Sequence, residues 1–321
     1  MTRTSEANDT VERVSKIWVG CQYGYLPSIL TPKHCGVSLY VLVTDSDTKG
    51  AVMTRSIPPS MAGLLEELEL EQPTLVTSEH LERLVKQYGL QTPTKVVAAR
   101  LRERGWLLPT GRRGVWEFAP AAVAGAHSRN DPVTPLRAFL TQRPGVRCAL
   151  TFQAAAWAHG LADRAPLRLE VAVAKGALAH QLPSALAGSV FDPRLEYRSL
   201  RGVPVLAAES ILVHMAARPS AVRSWTSALE WFPELTQILT GESLVGELDE
   251  RSAAVRSRTG YLLQGLRPDL ADAIRDLAPQ NATKGSKTWF GPRGKLLHHD
   301  AAWQIADTIL PFDPRTLRAD A

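Results

Sequence analysis

The sequence predicts an α+β protein of two unequal domains, and three observations carry that prediction. Its 321 residues exceed the roughly 150 that one domain ordinarily takes. Residues 60–118 run helix, helix, short turn, helix and then a glycine-bounded hairpin. Beyond a stretch rich in Ala, Gly and Pro, strand patterns fall mainly in the first half of the remaining chain and helical patterns in the second.

Residues 1–52 lack sustained helical periodicity, carry a short strand pattern at 38–43 and contain Cys21 and Cys35. Two readings of them stand side by side. One is a genuine N-terminal extension; the other is a start at Met53 or Met61, with the purine-rich codons of Lys49-Gly50 serving as a ribosome-binding sequence ahead of Met53. From Ser60 the pattern sharpens. Ser60 is suited to cap a helix with Leu64, Leu65 and Leu68 on one face, closed before Pro73. Thr77-Ser78-Glu79 opens a second helix that aligns Leu81, Leu84 and Val85 and stops at Gly89. After a tight turn at Leu90-Gln91, Thr92 is expected to cap a third helix with Pro93 at its first position, where a missing N–H costs nothing. That helix buries Val97 and Leu101 and ends at Gly105. Residues 106–108 and 115–118 then alternate as two strands around Gly111-Arg112-Arg113-Gly114, with Trp106, Trp116 and Phe118 closing a small core. This is the plan of a winged helix-turn-helix.

Past residue 135, helices are expected at 136–140 and 151–159, and strands at 167–173, 190–198 and 203–206. A helix follows at 209–217, and residues 225–240, 244–266 and 268–277 read as largely helical. Residues 281–297 read as loop and strand, and 301–310 as a last helix. The expected divisions are therefore an extension at 1–52, the winged helix-turn-helix domain at 53–120, a linker at 121–135 and a mixed α/β C-terminal domain at 136–321.

The formal charge is +5, and the excess of Arg over Lys is what GC-rich coding produces, so placement matters more than the sum. Lys95, Arg100, Arg102, Arg104, Arg112 and Arg113 lie between residues 94 and 113 against Glu103 alone, an excess equal to that of the whole chain. In a helix-turn-helix the third helix enters the major groove. With Val97 and Leu101 inward, the opposite face is expected to present Lys95, Ala98 and Arg102, flanked by Gln91, Thr92 and Thr94. Gln can pair with adenine, Arg and Lys with guanine or phosphate, and Thr with either. Arg112 and Arg113 at the hairpin tip suit phosphates or the minor groove, with a salt-dependent contribution. The plain alternative is a solvated basic face on a unit that docks a protein.

Several classes are excluded or unsupported. Hydrophobic residues at 45% against 21% charged rule out a wholly disordered chain. No run approaches the roughly 20 apolar residues of a membrane span, and residues 1–16 lack a signal-peptide core, so a cytoplasmic protein without a membrane partner is expected. Cys21, Cys35 and Cys148 are too few and scattered for a disulfide framework or a zinc site. There is no G-x-S-x-G elbow and no phosphate-binding P-loop. Glu170 and Lys175 lie too far apart for an E-x-K nuclease motif, and Gly285-Ser286 lacks the Asp-x-Asp pair of a nucleotidyltransferase. His298-His299-Asp300 reads as a solvated loop, because adjacent histidines diverge. No catalytic residue, metal or cofactor is expected.

The second domain carries an ordered set of motifs: CALTFQAAAWAHGL at 148–161, PLRLEVAV at 166–173, GVPV at 202–205, AESILVHMAARP at 208–219, GYLL at 260–263 and TWFGP at 288–292. With the preceding winged helix, this set resembles the AbiEi family of antitoxins from type IV toxin–antitoxin systems over about residues 59–311. The resemblance implies an autorepressor whose winged helix binds repeats in its own promoter. It also implies a C-terminal domain that neutralises a nucleotidyltransferase toxin encoded next door. The family's DNA-reading positions fall on Thr94, Lys95, Arg102, Arg112 and Arg113. The expected partners are thus double-stranded promoter DNA and a nucleotidyltransferase-like toxin. A DNA-binding antitoxin predicts a neighbouring gene with the Gly-Ser…Asp-x-Asp pattern. A non-catalytic interaction module predicts no promoter binding, and a nucleic-acid enzyme assembled from scattered residues predicts metal-dependent DNA cleavage.

Overall fold

A computed structural model describes residues 59–122, 131–176, 182–277 and 287–318. The extension at 1–52, with Cys21, Cys35 and its strand pattern, lies outside them. In the first unit a single 3-10 turn at Pro59–Met61 leads into α1 (Ala62–Glu71), so Met61 rather than Ser60 stands at the cap, with no side-chain bond. A strand that the sequence does not signal, β1 (Leu75–Thr77), precedes α2 (Ser78–Gln87). The Thr77 hydroxyl oxygen accepts the His80 N–H at 3.1 Å, satisfying one of the donors that a helix start leaves over. Gly89 then takes φ +61, which lets the chain reverse at no Cβ cost.

The third helix, α3 (Thr94–Glu103), begins one residue later than expected. Pro93 is the cap, and its carbonyl accepts the N–H groups of Val96 and Val97. Two strands follow, β2 (Leu107–Pro109) and β3 (Val115–Phe118). Strand β3 lies between β1 and β2 in an antiparallel sheet, pairing Val76 with Trp116 and Leu108 with Glu117. Leu64, Leu68, Val76, Leu81, Val97, Leu101, Trp106 and Phe118 form one buried core that seats α3 against the sheet.

The second unit starts inside the stretch read as a linker, since Val133 is buried and α4 spans Thr134–Gln142. Its main sheet contains β4 (Cys148–Leu150), β5 (Leu169–Val173), β6 (Leu186–Val190), β7 (Arg198–Leu200) and β8 (Val203–Val205) in the order β6-β5-β4-β8-β7. The β5–β6 and β4–β8 pairs are parallel and the other two antiparallel. The single strand expected at 190–198 is instead the end of β6 and the start of β7. Pro193 between them has no N–H to give a ladder.

Two helices, α5 (Phe152–Ala158) and α6 (Ala208–Ala217), follow β4 and β8. Helix α6 is buried from Ala208 to Ala216, wrapped by α9 (Gly241–Leu248) and α10 (Ala253–Leu263). The shorter α7 (Trp225–Ala228) and α8 (Phe232–Gln237), with α11 (Pro268–Leu277), complete the helical half.

A small sheet, β10-β11-β9, closes the unit with β9 (Thr288–Phe290), β10 (His298–Asp300) and β11 (Ile305–Asp307). This corrects two expectations. His298-His299-Asp300 is a strand rather than a loop, and residues 301–310 are a turn and a strand rather than a helix. The Asp300 carboxylate accepts the Trp303 N–H at 2.9 Å and Gln304 takes φ +52, so the chain reverses where a helix was expected. Among the described residues no helix is long and apolar enough to cross a membrane, and no three His, Cys, Asp or Glu gather as metal ligands.

Candidate nucleic-acid interface

The α3 helix and the β2–β3 hairpin face each other across a groove of about 590 Å³. Six of the eight residues singled out in the sequence line it: Thr94, Lys95, Ala98, Arg102, Arg112 and Arg113. Ser78 and Glu82 of α2, Ala99 of α3, and Pro109 and Trp116 of the strands complete the walls. Lys95 and Arg102 are exposed and Thr94 half-buried. Gln91 and Thr92 do not line this groove. Gln91 sits exposed in the turn, where its side-chain amide donates to the Gly89 carbonyl at 3.3 Å.

Ala98 is a correction. It is only 5% exposed and belongs to the core as well as to the groove floor. Helical geometry explains this: successive residues turn by about 100°, which leaves Ala98 about 60° from Leu101 and still on the inward side. The same arithmetic points to Ala99, which the sequence reading passed over and which is exposed in the groove. Trp116 and Ser78 enter through β1, whose pairing with β3 aligns α2 with the hairpin. The Ser78 N–H donates to the Gly114 carbonyl at 2.9 Å. No three-residue strand announces itself by periodicity, so the sequence placed Trp116 in the hairpin and Ser78 at the start of α2 without showing that β1 brings them together.

The groove's electrostatics follow from what its cations do not touch. Among the described residues, Lys95, Arg100, Arg102 and Arg113 have no carboxylate in ion-pair range. Glu82, the one acid on the groove wall, pairs with Lys86 at 3.0 Å, one turn along α2. No side chain caps α3, and since the Pro93 carbonyl takes the Val96 and Val97 N–H groups, those of Thr94 and Lys95 are left without an acceptor among the described residues. The tip glycines Gly111 and Gly114 take φ +76 and +77, the left-handed region in which a side chain would strain the turn.

The second unit holds its polar groups inside. His214 of α6 is fully buried, with Nδ1 2.8 Å from the Thr151 hydroxyl and Nε2 3.0 Å from the Ser189 hydroxyl. The rings of Phe152 and Phe191 lie 4.3 Å from it on either side. Burial, with Arg218 and Arg251 nearby, holds its pKa well below the ordinary 6.5, so it is neutral. Glu247 is likewise buried, and accepts from the Ser210 hydroxyl (2.6 Å), the Arg194 and Leu195 N–H groups and the Arg251 guanidinium. Burial pushes the Glu170 carboxyl up to about 7, opposed by the Ala154 N–H and Arg223. Two of these groups, His214 and Glu170, fall in the stretches that set the second unit apart in the sequence; His214 ties α6 to Thr151 and Ser189, and Glu170 ties β5 to the first turn of α5.

Residues 148–265, from β4 through α10, match the model of the AbiEi antitoxin C-terminal domain. This segment belongs to the AbiEi family of antitoxins. Among solved structures, the RV2827C protein from Mycobacterium tuberculosis superposes with a TM-score of 0.69 at 24% identity, over 81% of this chain and 95% of that one, so the two share a fold. No curated protein matches the chain.

Proposed function

We propose that this protein is a cytoplasmic antitoxin and autorepressor of a toxin–antitoxin operon, and not an enzyme. In this reading residues 59–122 are a winged helix-turn-helix that lays α3 in the major groove of promoter DNA and sets the β2–β3 wing on the neighbouring phosphates. One observation carries it: a single groove gathers Lys95, Arg102 and Arg113 with no carboxylate paired to them among the described residues. Unpaired cations on a curved, exposed surface are what a polyanion's counterions exchange with. Lys95, Arg102 and Thr94 have the chemistry for base edges or phosphates, and Arg113 for phosphates. The second unit, through its AbiEi domain, neutralises a nucleotidyltransferase-like toxin encoded beside it.

The test is a gel-shift titration of the full chain with the DNA upstream of its gene and with a scrambled duplex of equal length, at two salt concentrations. Preferential, salt-sensitive binding to the upstream duplex is the expected result. Equal or absent binding by folded protein would transfer the first unit to protein docking. For the second unit, co-expression with the nucleotidyltransferase encoded next door should restore growth of cells that the toxin alone arrests. Failure to restore growth would remove the antitoxin reading.

A further inference from the structure

The two arginines at the wing tip have different settings. Arg113 is exposed, and among the described residues its side chain has no hydrogen-bond or ion-pair partner. Arg112 turns the other way, across the boundary between the two units. Its Nε donates to Oε1 of Gln142, the last residue of α4, at 2.7 Å. Its guanidinium carbon lies 5.5 Å from the ring centre of Phe139, a buried residue of the second unit's core. The same Gln142 amide donates its Nε2 hydrogen to the Arg113 carbonyl at 2.5 Å. One side chain of the second unit therefore satisfies an acceptor and a donor on two successive wing residues. It does so between the two glycines that give the tip its freedom.

We infer that Gln142 and Arg112 are a positioning pair: they fix the wing relative to α3, so that Arg113 alone of the two wing arginines meets the phosphate backbone. The inference rests on the DNA-binding reading above and deepens it. A free hairpin tip with glycines at both ends must lose conformational freedom on binding, and a tip already held pays less of that cost. The hydrogen bond from a charged guanidinium to an amide oxygen is also of the stronger kind. The second unit thereby contributes to DNA affinity through the shape of the wing, without touching DNA at Gln142.

The experiment compares the full-length wild type with Gln142→Ala, Arg112→Ala, the double variant and Arg113→Ala. Affinity for the upstream duplex is read at several salt concentrations, with thermal unfolding as a check on folding. Gln142→Ala and Arg112→Ala should each weaken binding by about tenfold, and the double variant no further than either single one. Both should leave the slope of log affinity against log salt unchanged. Arg113→Ala should flatten that slope by about one. A change in slope for Arg112→Ala with no effect of Gln142→Ala would overturn the inference, because Arg112 would then be a phosphate contact and the clamp idle. Additive losses from the two single changes would overturn it as well. Wild-type protein that shows no preference for the upstream duplex would instead remove the DNA reading itself, a different and distinguishable failure.

Discussion

In the first unit Lys95, Arg100, Arg102 and Arg113 stand in solvent without an acid among the described residues, whereas in the second Arg137, Arg251 and Arg267 each hold a carboxylate. The contrast extends to their neighbours. Arg256 and Arg258 of α10 donate to the backbone carbonyls of Leu248, Leu277, Trp289 and Ala216, stitching helices to the small sheet. Arg112 apart, which is tied to Gln142, the same residue type is thus a free charge on the groove side of the first unit and a structural tie at these positions of the second. An arginine-rich composition says nothing of which is which; only the partner of each guanidinium does. The two regions should accordingly respond in opposite ways to substitution.

The largest effect is expected in the second unit. Glu247→Ala removes the acceptor of the Ser210 hydroxyl, two N–H groups and Arg251 in a buried setting, and should cost about 3–5 kcal/mol in urea unfolding. A loss within the range of an ordinary surface change would mean that water replaces the carboxylate there. Next come Lys95→Ala and Arg102→Ala. Each should leave stability within about 0.5 kcal/mol. If the side chain reads a base, each should also reduce discrimination between upstream and scrambled DNA by about 1–3 kcal/mol. Unfolding that tracks the loss of binding would erase the distinction between the regions.

The smallest effects are in the pH profile, where the buried groups His214 and Glu170 pull in opposite directions. His214 is neutral in the fold with its pKa held below 6.5, so its contribution is present above 6.5 and lost as pH falls below it. His214→Gln should lower stability at neutral pH yet remove that acid limb, as read from unfolding midpoints between pH 5 and 8. Glu170 is raised from 4.5 to about 7. Its contribution is full below 4.5 and is lost as pH rises through about 7, and Glu170→Gln should abolish that decline. An acid limb unchanged in His214→Gln would place its origin elsewhere.

Much of the first unit was legible because local chemistry sets its punctuation. Thr77 caps α2, and Gly89 and Gly105 turn the chain at φ +61 and +70. The hairpin is bounded by two glycines that need positive φ. What was not legible lies in long-range pairing. Strand β1 exists only because β3 offers it an edge, and three residues are too few to display a period of two. The stretch 301–310 shows apolar spacing that suits a helix as well as a strand. Asp300, Asp307 and Gln304 decide the matter by bonding or bending the backbone locally. Within the groove, the residue types of α3 were readable, while the inward lean of Ala98 depended on where the core lies. The partnership of Arg112 with Gln142, thirty residues away in another unit, left no trace in the sequence.

Free and tied cations should differ in what they contribute to DNA binding, and one comparison tests that directly: the salt dependence of upstream-DNA binding for Arg113→Ala and Arg267→Ala, each in the full chain. Both remove one positive charge. The slope of log affinity against log salt should fall by about one for Arg113→Ala and stay at the wild-type value for Arg267→Ala, whose guanidinium already holds Asp269. Equal shifts in the two variants would contradict the account, because net charge and not the groove would then be driving the interaction with DNA.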